Sequence, residues 1–195
     1  MRQVLWFVGI GLVTSILLMA IAVREGPPAR EPRTTLQGVP PAGGTDLERL
    51  RSRSLVLPVE GLKAADLRDS FAEGRGTHVH EALDILAPRG TRVLAVDDGR
   101  VVKLFNSAQG GLTVYQFDPT ETFCYYYAHL DGYAQGLAEG APLSRGSLVG
   151  FVGTTGNAPR DTPHLHFTVF RLGPEKRWWE GTPVNPFPIW AFGSP

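Results

Sequence analysis

The sequence predicts an all-β domain carried behind an N-terminal transmembrane helix and a linker. Three observations carry that prediction. From Leu55 onward, short apolar runs are separated by Gly, Pro, Asn and Asp turn signals at near-regular spacing, the pattern of a many-stranded domain. Glycine (23) and proline (16) are abundant while charged residues make up only 19% of the chain, which suits a turn-rich β protein better than a helical bundle. Val4 to Val23 is an uncharged run of 20 residues with Thr14 and Ser15 as its only hydroxyls.

That run comes first along the chain. A bilayer core needs about 20 apolar residues in a helix, so residues 1–24 form a membrane anchor in this reading. Arg2 precedes the run, and Arg24 and Glu25 follow it. The basic amino end favours an N-inside orientation, which places the rest on the extracytoplasmic, periplasmic side of the cytoplasmic (inner) membrane. Ala20-Ile21-Ala22 mimics a small-x-small cleavage site, but the apolar run is long for a signal peptide, so an uncleaved anchor is expected. Residues 25–54 follow as a linker, with proline pairs at 27–28 and 40–41. Within it, Thr45 as N-cap and Glu48 three residues on open a short helix.

The domain proper spans 55–195. Its candidate strands are Ala82–Leu86, Arg92–Val96, Gly99–Phe105, Leu112–Phe117, Phe123–His129, Leu148–Val152 and His164–Phe170, and Tyr133 to Gly146 reads as loop. The domain is long enough to bury a core. A formal net charge of zero gives no argument for nucleic acid or another polyanion. Cys124 is the single cysteine, so no internal disulfide forms.

All five histidines fall in three groups: His78 and His80 with Asp84, His129 after Tyr125 to Tyr127, and His164 with His166. Imidazole is the commonest zinc ligand and the side chain suited to proton transfer near neutral pH. On a strand, side chains two or four apart share a face. This aligns His164 with His166, His78 and His80 with Asp84, and Tyr125 and Tyr127 with His129, and it sets Cys124 on the face opposite His129. Three segments of one sheet can thus aim imidazoles and a carboxylate into one groove, with more imidazoles than a catalytic zinc requires. The surplus suits work on water and an oxyanion. A helical H-E-x-x-H motif with Glu81 as general base is the rival reading, but the second histidine is absent and Pro88-Arg-Gly90 stops any helix within a turn.

His80-Glu-Ala-Leu-Asp84-Ile, Ala87-Pro-x-Gly90-Thr-x-Val93-x-Ala95, Asp98-Gly-x-Val101, Tyr127-Ala-His-Leu130, Gly146-x-Leu-Val-Gly150-x-x-Gly153-x-Thr-Gly156 and Pro163-His-Leu-His-Phe167 occur in order. Together they resemble the LytM/lysostaphin-type zinc metallopeptidases, family M23, from about Leu57 to Val169. The resemblance implies a mostly antiparallel β-sheet with the metal in a groove. It implies Zn2+ bound by His80, Asp84 and His166, with His129 and His164 acting on the attacking water and the tetrahedral intermediate. It leaves His78 without a role.

The activity implied is a zinc-dependent endopeptidase acting on peptide bonds of peptidoglycan cross-links or cross-bridges. The alternative is a non-hydrolytic cell-wall module that activates an amidase. The expected partners are the peptidoglycan peptide and the membrane, with no nucleic acid. Departures from the family pattern are Ala82 where glycine is frequent, Thr168 where glutamate often follows, and an insertion-like loop from Asn157 to Thr162. None removes a candidate ligand. Trp178 and Trp179 read as a tail packed back on the sheet, with the groove rim as the rival placement.

Overall fold

The computed structural model describes residues 43–191; the candidate anchor at Val4–Val23 and most of the linker lie outside them. Among the described residues, no helix is long and apolar enough to cross a membrane. The chain runs through α1 (Gly43–Ser52), a 3-10 turn (Ala64–Asp66), β1 (Gly74–Arg75), β2 (His78–Val79), β3 (Leu83–Leu86), β4 (Arg92–Leu94) and β5 (Gly99–Ser107). It continues through β6 (Gly111–Phe117), β7 (Phe123–Tyr133), β8 (Pro142–Leu143), β9 (Leu148–Val152), β10 (His164–Leu172), β11 (Gly181–Val184) and α2 (Phe187–Ala191). Each predicted strand forms, and β7 runs on past His129 to Tyr133. The linker helix forms too, but it starts at Gly43, so Thr45 lies inside its first turn and is not its N-cap.

The main sheet is antiparallel, in the order β11-β10-β7-β6-β5-β8. Strand β10 is its organiser. One edge of β10 pairs with β7, while β3 and β11 lie end to end along the other. Strand β9 joins the far end of β7 and carries β4 on its outer edge.

Strand alternation separates two apolar layers. Leu83, Val114, Tyr127 and Phe167 are register partners and enter the larger core. Burying each such side chain contributes about 1.5–3 kcal/mol. Tyr115, Cys124, Tyr126 and Phe170 form a smaller cluster on the opposite face. Two polar ties close the larger core: Trp190 Nε1 donates to the Leu55 carbonyl at 3.1 Å, and Arg171 Nε lies 2.9 Å from Asp46 Oδ2.

Tyr125 and Tyr127 are fully buried in the larger core. The Tyr127 hydroxyl donates to Gln116 Oε1 at 2.7 Å and accepts the Val96 N–H at 3.0 Å. The Tyr125 hydroxyl donates to Asp97 Oδ2 at 2.8 Å. Burial pushes both phenols far above the ordinary tyrosine range, so they act here as neutral groups.

Candidate metal centre

Strands β3 and β10 place Asp84 directly opposite His166, so both side chains leave the sheet on one face. His80 arrives from outside the strand. β2 ends at Val79 and β3 begins at Leu83, and between them Glu81 adopts φ +56°. The expected single face for His78, His80 and Asp84 is therefore broken. His80 is turned inward by the bend: its N–H donates to the Glu73 carbonyl at 2.9 Å, and the Glu81 N–H donates to Phe71 at 2.8 Å. His78 stays on the exposed hairpin opposite Arg75, outside the cluster.

Three ligand atoms converge: His80 Nε2, Asp84 Oδ1 and His166 Nδ1. The two nitrogens are 3.2 Å apart, and each lies close to Asp84 Oδ1, at 3.0 and 3.1 Å. Among the described residues these three form a group able to hold a metal ion. The donor set fits zinc. Ligand bonds of about 2.0–2.1 Å in a tetrahedral site put neighbouring donor atoms a little over 3 Å apart. The tautomer fits as well. His80 Nδ1 lies 3.0 Å from the Ser70 carbonyl oxygen, which only accepts, so the ring proton sits there and Nε2 offers its lone pair. Ser70 also fixes Asp84: its hydroxyl donates to the Ala82 carbonyl at 3.2 Å and accepts the Asp84 N–H at 3.0 Å.

His129 reaches this face by a β-bulge. Pairing of β6 with β7 shifts between Leu112 and Val114, so two residues of β7, Ala128 and His129, oppose one of β6. His129 takes φ +59° at that point. The bulge corrects two expectations. Tyr125 and Tyr127 do not share His129's face, because the alternation resets between Tyr127 and His129. Cys124 lies on the metal side together with Tyr126 and Ala128, not opposite His129. It is fully buried in the smaller cluster, and burial pushes its thiol well up, so it supplies no nucleophile.

The His129 and His164 rings meet edge to face, with centroids 5.0 Å apart. Each is pinned through Nδ1: His129 donates to the Thr155 carbonyl at 2.8 Å, and His164 to the Thr162 carbonyl at 2.8 Å. Both Nε2 atoms are thereby left as acceptors when the rings are neutral. His164 Nε2 stands 3.8 Å from Asp84 Oδ1, and the His129 ring centroid is 5.6 Å from that of His166.

Burial, and then the neighbouring His166, lower the His129 pKa to about 4. Asp84 moves well below the ordinary carboxylate range: burial pulls it up, but the adjacent His166 and His80 rings outweigh that pull. The site thus holds an ionised carboxylate among imidazoles.

Every candidate site residue named from the sequence (His80, Asp84, His166, His129 and His164) lies in this one cluster. The supports of the imidazoles carry no sequence signal: Ser70, Thr155 and Thr162 hold His80, His129 and His164 through main-chain carbonyls, which any residue type offers. Trp178 packs on Tyr115, with ring centroids 4.7 Å apart, and on Phe105 at 5.7 Å, the tail packing expected.

The sequence model of peptidase family M23 matches residues 78–186, more than half of the chain. This chain belongs to peptidase family M23. A curated family relative, the L-Ala--D-Glu endopeptidase of Bacillus subtilis (strain 168), is 30% identical over 119 residues, 57% of this chain and 36% of that protein. The chain therefore aligns with only about a third of that relative's length. The catalytic domain of the antimicrobial peptidase lysostaphin from Staphylococcus simulans superposes with TM-score 0.51 at 26% identity, covering 60% of this chain and 82% of that one. Helicobacter pylori Csd3 superposes with TM-score 0.54 at 28% identity, covering 69% of this chain and 34% of that one. The M23 match includes all five site residues.

Proposed function

We propose that this M23 chain is a zinc-dependent endopeptidase that hydrolyses peptide bonds in peptidoglycan. One observation carries the reading: of the four clustered histidines, His80 and His166 bring a ring nitrogen to 3.0 and 3.1 Å from Asp84 Oδ1 as a ligand group, while His129 and His164 stand beside that group, each held through Nδ1 by a main-chain carbonyl. His80, Asp84 and His166 hold the zinc. Bound there, zinc polarises a carbonyl and makes water a nucleophile near neutral pH. His129 and His164 share the proton work: Nε2 of one takes the proton from the attacking water, and the other, protonated, donates to the developing oxyanion. The groove face of β3, β7 and β10 orients the peptide between them.

The name of the Bacillus subtilis relative supports a stem-peptide bond between L-Ala and D-Glu as the first to test. Val4–Val23 anchors the chain in the cytoplasmic membrane with the domain on the extracytoplasmic side, a reading supported by the uncharged run and the basic amino end at Arg2.

The test uses the full-length chain in detergent, with purified peptidoglycan, with and without chelator, beside His166→Ala. Cleavage that is lost on chelation and in the variant supports the reading. A chain that binds zinc but releases no peptide favours the non-hydrolytic amidase-activating module instead. A chain that neither binds zinc nor cleaves ends the enzyme reading.

A further inference from the structure

We infer that Arg75 is a positioning residue for the metal centre, holding the Asp84 carboxylate so that only Oδ1 faces the ion. The inference rests on the zinc reading above. The two oxygens of Asp84 have different neighbours. Oδ1 faces His80 Nε2 at 3.0 Å and His166 Nδ1 at 3.1 Å, whereas Oδ2 accepts from Arg75 Nη2 at 2.6 Å. The guanidinium thus occupies the oxygen that would otherwise be free to become a second donor to the metal.

Arg75 reaches this position through the segment that also delivers His80. It lies on β1, paired with His78 across the hairpin, and the hairpin closes where the Glu73 carbonyl accepts the His80 N–H at 2.9 Å. Glu73 Oε2 stands 3.6 Å from Arg75 Nη2, and the same carboxylate pairs with Arg68. One short strap therefore fixes a ligand and the support of a second ligand. Arg75 precedes residue 78, where the match to the family begins, so it lies outside the matched stretch.

Two effects of Arg75 on metal binding oppose each other. Its charge repels a cation, while its hydrogen bond orders an anionic ligand. The charge is weakened in two ways: the side chain is 43% exposed, and Glu73 neutralises part of its field. The order it imposes is not weakened in that manner. The terminal torsion of an aspartate is broad and two-fold, so an unsupported carboxylate turns either oxygen, or both, toward the ion. Ordering therefore wins, and loss of Arg75 weakens binding.

The experiment compares the full-length wild-type chain with Arg75→Ala and Arg75→Lys by zinc competition against a chromophoric chelator and by the visible spectrum of the cobalt-substituted protein. Removal of a partner to a metal-ligating group typically costs about 10–100-fold in metal affinity, and Arg75→Ala is expected in that range. Its cobalt bands weaken as Oδ2 joins the coordination sphere, while Arg75→Lys restores part of both signals. Circular dichroism of the metal-free proteins stays the same. Zinc affinity within about twofold of wild type, with an unchanged cobalt spectrum, overturns the inference. If Arg75→Ala does not fold, Arg75→Lys decides: a wild-type spectrum and affinity there overturn it, and a shift in both supports it. A wild-type chain that binds no zinc overturns the zinc reading itself, and this inference with it.

Discussion

His129 is held in place by Thr155. The His129 Nδ1 donates to the Thr155 carbonyl at 2.8 Å, while the Thr155 hydroxyl donates to Leu130 at 2.8 Å and accepts the Leu112 N–H at 3.0 Å. The turn that carries Thr155 is thus laced to both sides of the bulge that carries His129. Gly111 closes the arrangement. It has φ +61°, and a Cβ there would stand 2.2 Å from Thr155 Oγ1. Gly111→Ala is therefore expected to displace Thr155 and tilt His129. Misplacing a catalytic group by about 1 Å costs on the order of 100-fold in rate. Zinc stoichiometry should stay at the wild-type value, since no ligand touches this turn. Full peptidase activity in Gly111→Ala would refute the link.

His129→Ala and His164→Ala should each retain zinc and lose activity. General acid–base groups typically contribute about 10²–10⁴-fold, and each single variant is expected to fall in that range. The double variant should lose little more than the worse single one, because groups that act as a unit are not additive. His166→Ala, by contrast, should lose zinc. Measuring metal content beside kcat/KM separates the two sets; a His164→Ala protein stripped of zinc would move His164 into the ligand set.

The pH behaviour of the metal-free protein follows from His129. Burial first, and then His166, lower its pKa from 6.5 to about 4. Between those values the unfolded chain takes up a proton that the folded chain refuses. The contribution of His129 to stability is therefore whole above pH 6.5 and is lost as pH falls through about 4. Chemical denaturation across this window should show stability falling with acid, less steeply in His129→Gln. An NMR titration midpoint for His129 near that of an ordinary histidine would contradict the burial argument.

Periodicity made most of the sheet legible, because β3, β5, β6, β7, β9 and β10 are long enough to show alternating or continuous apolar runs. Strands β1, β2 and β8 have two residues each and carry no period to read. The site was legible as residue types, since His80, Asp84, His129, His164 and His166 are chemically conspicuous. Their approach was not. His80 and His129 each depend on a positive-φ residue, Glu81 and His129 itself, that breaks the alternation on which face assignment rests. Counting by twos across such a point sends every later side chain to the wrong face, which is why strict alternation sets Tyr125 and Tyr127 beside His129.

That placement has a measurable consequence at Tyr127. A tyrosine lining the groove would be felt mainly in kcat/KM when its hydroxyl is removed. Tyr127 is instead fully buried on the core side, and its hydroxyl serves two partners, Gln116 Oε1 and the Val96 N–H. Tyr127→Phe leaves a buried acceptor and a buried donor without partners. Each unsatisfied buried group costs about 1–3 kcal/mol, so the variant is expected to lose at least that much stability. The metal site lies on the other face of β7, so kcat and zinc affinity should hold at temperatures where the variant stays folded. Urea denaturation read beside activity tests this directly: unchanged stability with reduced kcat/KM would return Tyr127 to the groove and with it the unbulged register of β7.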